Sequence, residues 1–398
     1  MSEKYRVKVL NHISANGLRR LPWDQFVVSA EVEEPHAILL RSADLHGTEI
    51  PASVLAIGRA GTGTNNIPVV AMSGRGVPVF NAPGANANAV KELVLAGMLL
   101  AARNLDDALR FVSALDVADP ELEARIESGK KAYAGYELSG HTLGVIGLGK
   151  IGCLVADAAI KLGMHVIGYD PEITVDSAWS LPSTVKKAHT LGEVLRHSHF
   201  VTVHVPLVGA TRGMIDAGGV AQMKPGAVVL NFSRGGVVDE AAVLAALEAG
   251  HLARYVCDFP SSTLNGHVGV IVLPHLGAST REAEENCAVM VAEQVRDYLV
   301  DGTIVNAVNF PNVVLPRESP WRVAIANANV PNMVGGISHE MAAAGLNIAT
   351  MTNKSRGDLA YTVVDVDSDV PPPVIEAIAA IHGVLKVRYL PSGRLAAS

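Results

Sequence analysis

A glycine-rich turn inside a strand, helix, strand pattern constrains the fold of this chain more than any other feature. A short apolar run, Thr142 to Ile146, leads into glycines in the G-x-G-x-x-G spacing. A helical pattern follows, and a second apolar run, His165 to Tyr169, ends at Asp170. Both runs are too short for helices and are typical of buried parallel strands. The stretch therefore predicts one βαβ unit that binds a dinucleotide.

The three glycines and the acid have separate physical roles. Gly147 permits the tight turn, Gly149 lets the backbone approach a pyrophosphate, and Gly152 lets helix and strand pack closely. The helix that follows directs its N-terminus at the phosphate charge. Asp170 lies 23 residues after Gly147 and is placed to accept hydrogen bonds from ribose hydroxyls. Because a carboxylate there repels a 2′-phosphate, the sequence favours NAD over NADP as the cofactor.

Further strand patterns alternate with helical patterns on both sides of this unit. After it, apolar runs at Phe200 to Val205, Ala227 to Phe232, Tyr255 to Asp258 and Val270 to Leu273 predict strands. This alternation predicts an α/β fold with a doubly wound parallel sheet, the Rossmann architecture. Residues 1–90 show a smaller α/β pattern of the same kind.

Composition and charge exclude several classes of partner. With 398 residues, 49% of them hydrophobic and 18% charged, the chain predicts a well-packed protein of two or three domains. A net charge of −7 without a dense Lys/Arg run argues against nucleic acid and anionic membranes as partners. The N-terminus has no signal-peptide pattern, and the three cysteines are widely spaced. We therefore expect a cytoplasmic protein without a metal site.

Three polar residues at predicted strand ends carry the chemistry. Arg234 lies in NFSRGGVVDE, Asp258 in CDFP and His275 in PHLGAST. Hydride removal from a carbinol carbon needs a base for the hydroxyl proton, and histidine serves both directions of such a reaction. The planar fork of arginine binds a carboxylate bidentately and polarises the neighbouring carbonyl. On a dinucleotide-binding sheet, these residues together indicate an oxidoreductase.

The whole set of motifs resembles the D-2-hydroxyacid dehydrogenase family. The matching segments cover nearly the whole chain and read GRAGTGTNNI, NAPGANANAVKEL, LGVIGLGKIG, HVPL, NFSRGGVVDE and PHLGASTREAEEN. From Trp321 onward the pattern βαββαβ predicts a ferredoxin-like unit, which resembles an ACT regulatory domain. With that domain, the resemblance implies NAD-dependent oxidation of 3-phospho-D-glycerate to 3-phosphohydroxypyruvate, the first step of serine biosynthesis.

The resemblance also implies the domain organisation. Residues 1–92 and 286–315 would form a flavodoxin-like substrate domain, residues 93–285 an inserted NAD-binding Rossmann domain, and residues 321–398 the ferredoxin-like ACT domain. Pro311 to Pro320 contains three prolines and predicts a linker before an independent domain. We expect a homodimer or homotetramer that binds a small anionic substrate.

The family's functional residues carry over to this chain position by position. Arg234 would bind the substrate carboxylate, and His275 would be the acid/base. By the resemblance, the NAD site is formed by Gly147, Gly149, Lys150, Ile151, Gly152, Asp170, Phe232, Ser233, Asp258, Gly277 and Ala278. The same resemblance assigns Arg59, Gly61, Asn86 and Lys91 to substrate binding, and Asn329 and Asn347 to a serine effector at a domain dimer interface.

Three positions depart from the family pattern. No Glu lies between Asp258 and His275, where the family usually has one that pairs with the histidine. Either Asp258 serves both NAD and His275, or His275 works without a carboxylate. Lys91 stands where a small residue is usual, so it either binds a substrate phosphate or is a solvated lysine at a helix start. Asn327 stands where a histidine is common, which leaves serine inhibition open.

Two other functions stay open on the sequence. One is a hydroxypyruvate or 2-oxoacid reductase that acts on an unphosphorylated substrate. The other is an NAD(H)-sensing binding protein, because the C-terminal-binding-protein corepressors share the fold and its Arg and His. The ACT-like pattern and the lack of basic or partner-docking tails argue against the second.

Overall fold

In the computed structural model, which describes residues 4–392, short apolar runs near the start of the chain form a five-stranded parallel sheet. Its residues are buried along the whole of one central strand, Ala37–Leu40, as expected for a sheet covered on both faces. In chain order the elements are β1 (Tyr5–Val9), α1 (Ala15–Leu18), β2 (Phe26–Ser29), β3 (Ala37–Leu40), β4 (Ala56–Arg59), α2 (Val69–Gly74) and β5 (Val79–Phe80). The strand order is β2-β1-β3-β4-β5.

Residues 86–280 form a separate compact unit, unit 2, around a seven-stranded parallel sheet. Its elements are α3 (Ala87–Ala102), α4 (Leu105–Ser113), α5 (Leu122–Gly129), a 3-10 helix (Lys130–Tyr133), β6 (Thr142–Ile146), α6 (Lys150–Lys161), β7 (His165–Tyr169), α7 (Val175–Ser180), β8 (Lys186–Lys187), α8 (Leu191–His197), β9 (Phe200–Val203), α9 (Ala217–Ala221), β10 (Ala227–Asn231), α10 (Glu240–Glu248), β11 (Leu252–Cys257) and β12 (Val270–Val272). The strand order β12-β11-β10-β9-β6-β7-β8 reverses beside β6. This is the doubly wound sheet predicted from the sequence.

The rest of the chain belongs to unit 1, together with the first sheet. Its elements are α11 (Arg281–Asp301), β13 (Trp321–Ala328), α12 (Met333–Ala343), β14 (Ile348–Arg356), β15 (Leu359–Val366), α13 (Pro372–Ala380) and β16 (Val384–Pro391). The last six form an antiparallel sheet in the order β14-β15-β13-β16 with two helices. This confirms the βαββαβ prediction. A two-residue turn, Gly357 and Asp358, joins β14 to β15.

The C-terminal sheet shares a hydrophobic core with the rest of unit 1. One cluster of buried residues contains Tyr298 of α11 together with Ala324 and Tyr361 of the sheet. Phe310 and Val313, from the segment between them, are fully buried in the same cluster. The prediction of an independent domain on a proline linker is therefore wrong. The physical reason is that β13 is apolar on both faces, so the face not covered by α12 and α13 needs a second partner.

Along the chain, unit 1 ends at Ala85 and unit 2 ends at Thr280, after which the chain returns to unit 1. The predicted domain boundaries at 92 and 285 lie seven and five residues later. The predicted C-terminal domain extended to residue 398, and residues 393–398 lie outside the described part of the chain. None of the helices found in residues 4–392 is both long and apolar enough to cross a bilayer.

Candidate active site

The glycine turn of unit 2 has the geometry that its three roles require. Gly147 has a φ of +89°, and a Cβ there would lie 2.6 Å from the carbonyl oxygen of His204. A Cβ on Gly152 would lie 2.0 Å from the carbonyl oxygen of Gly147. A Cβ on Gly149 would meet nothing within 4 Å. The backbone at the start of α6 therefore faces open space, where a pyrophosphate can approach it.

Asp170 follows β7 and lies against this turn. Its Oδ2 accepts a hydrogen bond from the backbone N–H of Leu148 at 2.8 Å, and its Oδ1 accepts one from Glu172 at 2.9 Å. Lys150 and Ile151 begin α6 directly after the turn. An open backbone turn with a fixed carboxylate beside it suits the pyrophosphate and ribose of a dinucleotide. The residues present therefore fit NAD.

The loop after β10 is built around a buried asparagine. Asn231 is 1% exposed, and its Oδ1 accepts hydrogen bonds from the N–H and the hydroxyl of Ser233. Its Nδ2 donates to the carbonyl of Arg234 at 2.9 Å. Asn231 was not among the site residues expected from the sequence. The sequence did contain a sign of its role: Asn231 is a polar residue at the end of an otherwise apolar strand, just before a turn. At such a position an Asn side chain often forms hydrogen bonds with the local backbone.

Arg234 keeps most of its donors available. Its Nη1 donates to the carbonyl of Ser233 at 2.6 Å, and within residues 4–392 no carboxylate forms an ion pair with it. Guanidinium has five N–H donors in a planar fork. The group can therefore bind a substrate carboxylate. Phe232, beside the same loop, is buried against α3, since a Cβ on Gly97 would lie 2.8 Å from its ring.

His275 lies after β12 in a left-handed backbone conformation, with φ at +59°. Its ring packs edge-on against Phe259, with centroids 5.1 Å apart. Asp258, at the end of β11, is 1% exposed and accepts hydrogen bonds from the N–H groups of Leu276 and Gly277, each at 2.7 Å. Burial raises the pKa of Asp258, and these backbone donors oppose the shift. In the part of the chain that the structure describes, no carboxylate forms an ion pair with the imidazole.

Unit 2 thus brings the central predicted residues to one edge of its sheet. Gly147, Asp170, Arg234, Asp258 and His275 follow β6, β7, β10, β11 and β12, and the carboxyl ends of parallel strands share an edge. The turn after His275 also carries two further NAD candidates, the buried Gly277 and the partly buried Ala278. The edge therefore carries an open glycine turn, a guanidinium and an imidazole.

Two substrate candidates lie at the start of α3. Asn86 occupies the N-cap position of that helix. The Nζ of Lys91 lies 2.6 Å from Oδ1 of Asn88 and 3.8 Å from Oε1 of Glu92. The Lys91 charge is thus partly balanced by its own helix, and its role in binding substrate stays a prediction.

The other substrate candidates lie in unit 1, at the end of β4. A Cβ on Gly61 would lie 2.7 Å from Nη1 of Arg59, so the glycine leaves room for this guanidinium. The Nε of Arg59 donates to the carbonyl of Arg41 at 3.1 Å, and Arg41 forms an ion pair with Glu284 at 2.7 Å. Arg41 was not expected from the sequence, although its position directly after a buried strand could have indicated a functional residue. Neighbouring arginines of this kind can bind an anion.

The two effector candidates are far apart within one chain. The N–H of Asn329 donates to the carbonyl of Asp358, just before β15, whereas that of Asn347 donates to Oδ1 of Asp367, just after it. At about 3.3 Å per residue, the ends of β15 are on the order of 25 Å apart. One small ligand therefore cannot contact both asparagines of the same chain.

His204, in the HVPL motif, makes unit 2 sensitive to acid. Its Nδ1 is buried without a partner, and burial lowers the pKa of the ring to about 3. In the unfolded chain the His204 imidazole takes up a proton near pH 6.5, whereas in the folded chain it stays neutral until about pH 3. The folded state is therefore favoured fully above pH 6.5, and this preference is lost as the pH falls toward 3. We expect the free energy of unfolding to fall by up to about 1.4 kcal/mol per pH unit in that range.

Urea denaturation between pH 7.5 and 5 measures this effect. His204→Gln should flatten the pH dependence, whereas the exposed His189→Gln, in the same unit, should not. Equal slopes for the native chain and His204→Gln would contradict the assignment.

Known proteins match both the sequence and the fold. The family model for the D-isomer specific 2-hydroxyacid dehydrogenase NAD binding domain matches residues 95–277. The chain is 33% identical over 408 residues to D-3-phosphoglycerate dehydrogenase of Escherichia coli (strain K12), a match that covers 96% of this chain and 95% of that protein. It is 34% identical over 379 residues to the protein of the same name from Haemophilus influenzae, with coverage of 90% and 87%. The solved structure of apo D-mandelate dehydrogenase from Rhodotorula graminis superposes with a TM-score of 0.66 at 25% identity, over 79% of this chain and all of that one.

Proposed function

The chain belongs to the D-2-hydroxyacid dehydrogenase family and is an NAD-dependent oxidoreductase, and on this basis we propose that its substrate is 3-phospho-D-glycerate. It oxidises this substrate to 3-phosphohydroxypyruvate, the first step of serine biosynthesis. The observation that carries the proposal is the placement of Arg234 and His275 after strands that flank β11 in the nucleotide-binding sheet. Relatives named D-3-phosphoglycerate dehydrogenase that match along almost the whole chain support the choice of substrate.

The residues of unit 2 divide the reaction between them. When bound, NAD accepts the hydride from C2 of the substrate. The C2 hydroxyl must lose its proton as the carbonyl forms, and the His275 imidazole takes it and returns it in the reverse direction. Arg234 binds the C1 carboxylate through its unused N–H groups and so fixes the position of C2. Asn231 holds the backbone of the Arg234 loop and acts as a positioning residue.

The phosphate is the group that separates this substrate from simpler hydroxy acids. Arg59 and Arg41 lie at the ends of neighbouring strands of unit 1, where the Arg41 guanidinium also pairs with Glu284, and the family resemblance adds Lys91 as a candidate. Each charge-assisted hydrogen bond contributes about 1.5–3 kcal/mol, so two of them give a preference of at least about 100-fold.

Initial rates of NAD reduction across a panel of D-2-hydroxy acids test the proposal. We expect kcat/KM for 3-phospho-D-glycerate to exceed that for D-glycerate and D-lactate by at least about 100-fold. NADP should support lower rates, because Asp170 lies where a 2′-phosphate would bind. A preference for unphosphorylated hydroxypyruvate in the reverse direction would make the chain a reductase instead. Tight NADH binding without turnover of any substrate would favour a binding protein.

We also infer a homodimer or homotetramer in the cytoplasm. Helix α4 has no buried residue and exposes an apolar face at Leu105, Leu109 and Val112, which are 40%, 64% and 57% exposed. Such a face favours contact with a second copy. All three cysteines are buried and unpaired, as suits a reducing compartment. Light scattering of the purified chain measures the oligomeric state.

A serine effector is part of the same proposal. Because Asn329 and Asn347 lie at opposite ends of β15, we expect serine to bind where the C-terminal sheets of two copies meet. Serine should inhibit the full chain, and Asn347→Ala should abolish inhibition without changing the uninhibited rate. Ser368→Ala, near the same end of β15, is the matched control. Full activity at millimolar serine would leave this sheet with a structural role or another effector.

A further inference from the structure

We propose that Asp258 is a positioning residue whose carboxylate holds the backbone of the His275 turn, in place of an acid paired with the imidazole. The inference deepens the proposed function and rests on it, since His275 is the acid/base only in a dehydrogenase of this class. It also chooses between the two alternatives raised by the missing Glu, because His275 then works without a carboxylate paired to its ring. Asp258 orients the imidazole by fixing the backbone that carries it.

The hydrogen bonds of Asp258 are directed at that turn. Its Oδ1 and Oδ2 accept from the N–H groups of Leu276 and Gly277, both at 2.7 Å. Two successive backbone donors thus converge on a single buried carboxylate, and such charge-assisted bonds are the stronger kind.

The turn needs such an anchor because its backbone is strained. His275 has a φ of +59°, a region that residues with a side chain seldom adopt. Strain of this kind persists only where the surroundings enforce it, and it concentrates at functional sites. The ring itself packs against Phe259 and forms no ion pair with a carboxylate of the described residues. The backbone conformation, fixed by Asp258, therefore sets the direction in which the imidazole projects.

This role differs from the one that the family resemblance assigned to Asp258, which was to hold the nicotinamide carboxamide. The side chain is 1% exposed, and each of its oxygens accepts one backbone hydrogen bond from the His275 turn. A carboxylate that binds cofactor affects mainly the affinity for NAD, whereas an anchor for the base affects mainly the rate of turnover. The two roles therefore separate in a comparison of KM with kcat.

Asp258→Asn tests the proposal, because one oxygen becomes an NH₂ group that faces an N–H donor of the turn. We expect kcat to fall by about 10–100-fold with the KM for NAD and the Kd for NADH changed less than threefold. In the His275→Asn background the same change should have no further effect on turnover, because the anchor acts only through His275. Asp216→Asn is the matched control, since Asp216 also accepts from a backbone N–H in unit 2 but at the start of α9. It should leave kcat unchanged.

Two kinetic or binding results would overturn the proposal. One is a kcat within twofold of the native value in Asp258→Asn. The other is an NADH Kd raised tenfold or more with kcat retained, which would assign the carboxylate to the cofactor. If Asp258→Asn does not fold, Gly277→Ala serves instead, because its Cβ would lie 3.2 Å from Oδ2 of Asp258 and displace the N–H.

Hydrogen exchange separates a failure of this proposal from a failure of the proposed function. In Asp258→Asn, amides in a peptide spanning 270–280 should exchange at least tenfold faster than in the native chain, and this readout needs no substrate. If Asp258→Asn exchanges faster but the native chain prefers another hydroxy acid, only the substrate assignment is overturned. The kcat of Asp258→Asn would then be measured with that acid. Unchanged exchange would overturn the anchor alone.

Discussion

Replacing His275 by asparagine should lower kcat by roughly 10²–10⁴-fold, the range expected for loss of a general acid/base. Asparagine is chosen because it tolerates the left-handed backbone that His275 adopts at φ +59°. The turn and its bonds to Asp258 are then kept, and only the imidazole is removed. Stopped-flow and steady-state rates of NAD reduction with 3-phospho-D-glycerate measure the loss.

The same variant should bind NADH with nearly native affinity, as measured by fluorescence titration. The nucleotide turn at Gly147 and the carboxylate of Asp170 lie after other strands and are unchanged. His189→Asn, at an exposed position of unit 2, controls for the loss of a histidine as such. If His275→Asn keeps more than a tenth of the native kcat, the histidine has a structural role and another group carries the proton.

The nucleotide-binding unit was predictable because its signals are local. The positive φ of Gly147 and the close approach of Gly152 to the strand before it arise within six residues, and G-x-G-x-x-G spacing encodes both. Asp170 is one strand away, at a distance in sequence that the βαβ unit fixes. The family match over residues 95–277 and the doubly wound sheet agree with this interpretation.

The features of the site that could not be predicted from the sequence depend on contacts that form only in the folded chain. Asn231 was missed because its hydrogen bonds to the Arg234 loop form only when the strand end turns back on itself. Asn329 and Asn347 look equivalent as motif positions, yet the antiparallel sheet puts them at opposite ends of β15. Such relations follow from topology, which local periodicity does not encode.

The independence of the C-terminal sheet was predicted wrongly for a related reason. Three prolines in ten residues are typical of a linker, but Val313 in this segment and Phe310 just before it are fully buried. The burial of β13 is continuous, so both of its faces are covered, but the sequence does not identify what covers each. The structure shows α12 and α13 on one face and a core shared with α11 on the other.

Ending the chain at Pro316 should therefore destabilise the remainder of unit 1 and should not release an intact enzyme. An α-helix leaves its last four carbonyls without partners. In α11 three of these four accept hydrogen bonds from the C-terminal sheet: Arg388 donates to the carbonyls of Tyr298 and Leu299 at 2.8 and 2.7 Å, and Arg322 donates to that of Asp301 at 3.1 Å. Truncation removes these donors and exposes apolar core. We expect an aggregated or partly unfolded product.

A single substitution tests the same contact without removing a sheet. Arg388 is 8% exposed and lies over the ring of Tyr298, 4.5 Å from its centroid. Arg388→Met keeps the length and apolar stem but leaves the Leu299 carbonyl without its donor, and leaves that of Tyr298 with the Gly302 N–H alone, at a helix end that favours positive charge. The free energy of unfolding should fall by about 2–4 kcal/mol, since hydrogen bonds from a charged donor are lost. Chemical denaturation followed by tyrosine fluorescence measures it.

Arg296→Met is the matched control on the same helix. Arg296 pairs with Asp297 at the surface, and an exposed pair of this kind contributes at most about 1 kcal/mol. A loss confined to Arg388→Met would show that the C-terminal sheet is a structural part of unit 1, so that any effector bound to it acts on a segment continuous with α11. If the chain ended at Pro316 instead denatures at the temperature of the full chain, the two parts fold independently and the shared core contributes little to stability.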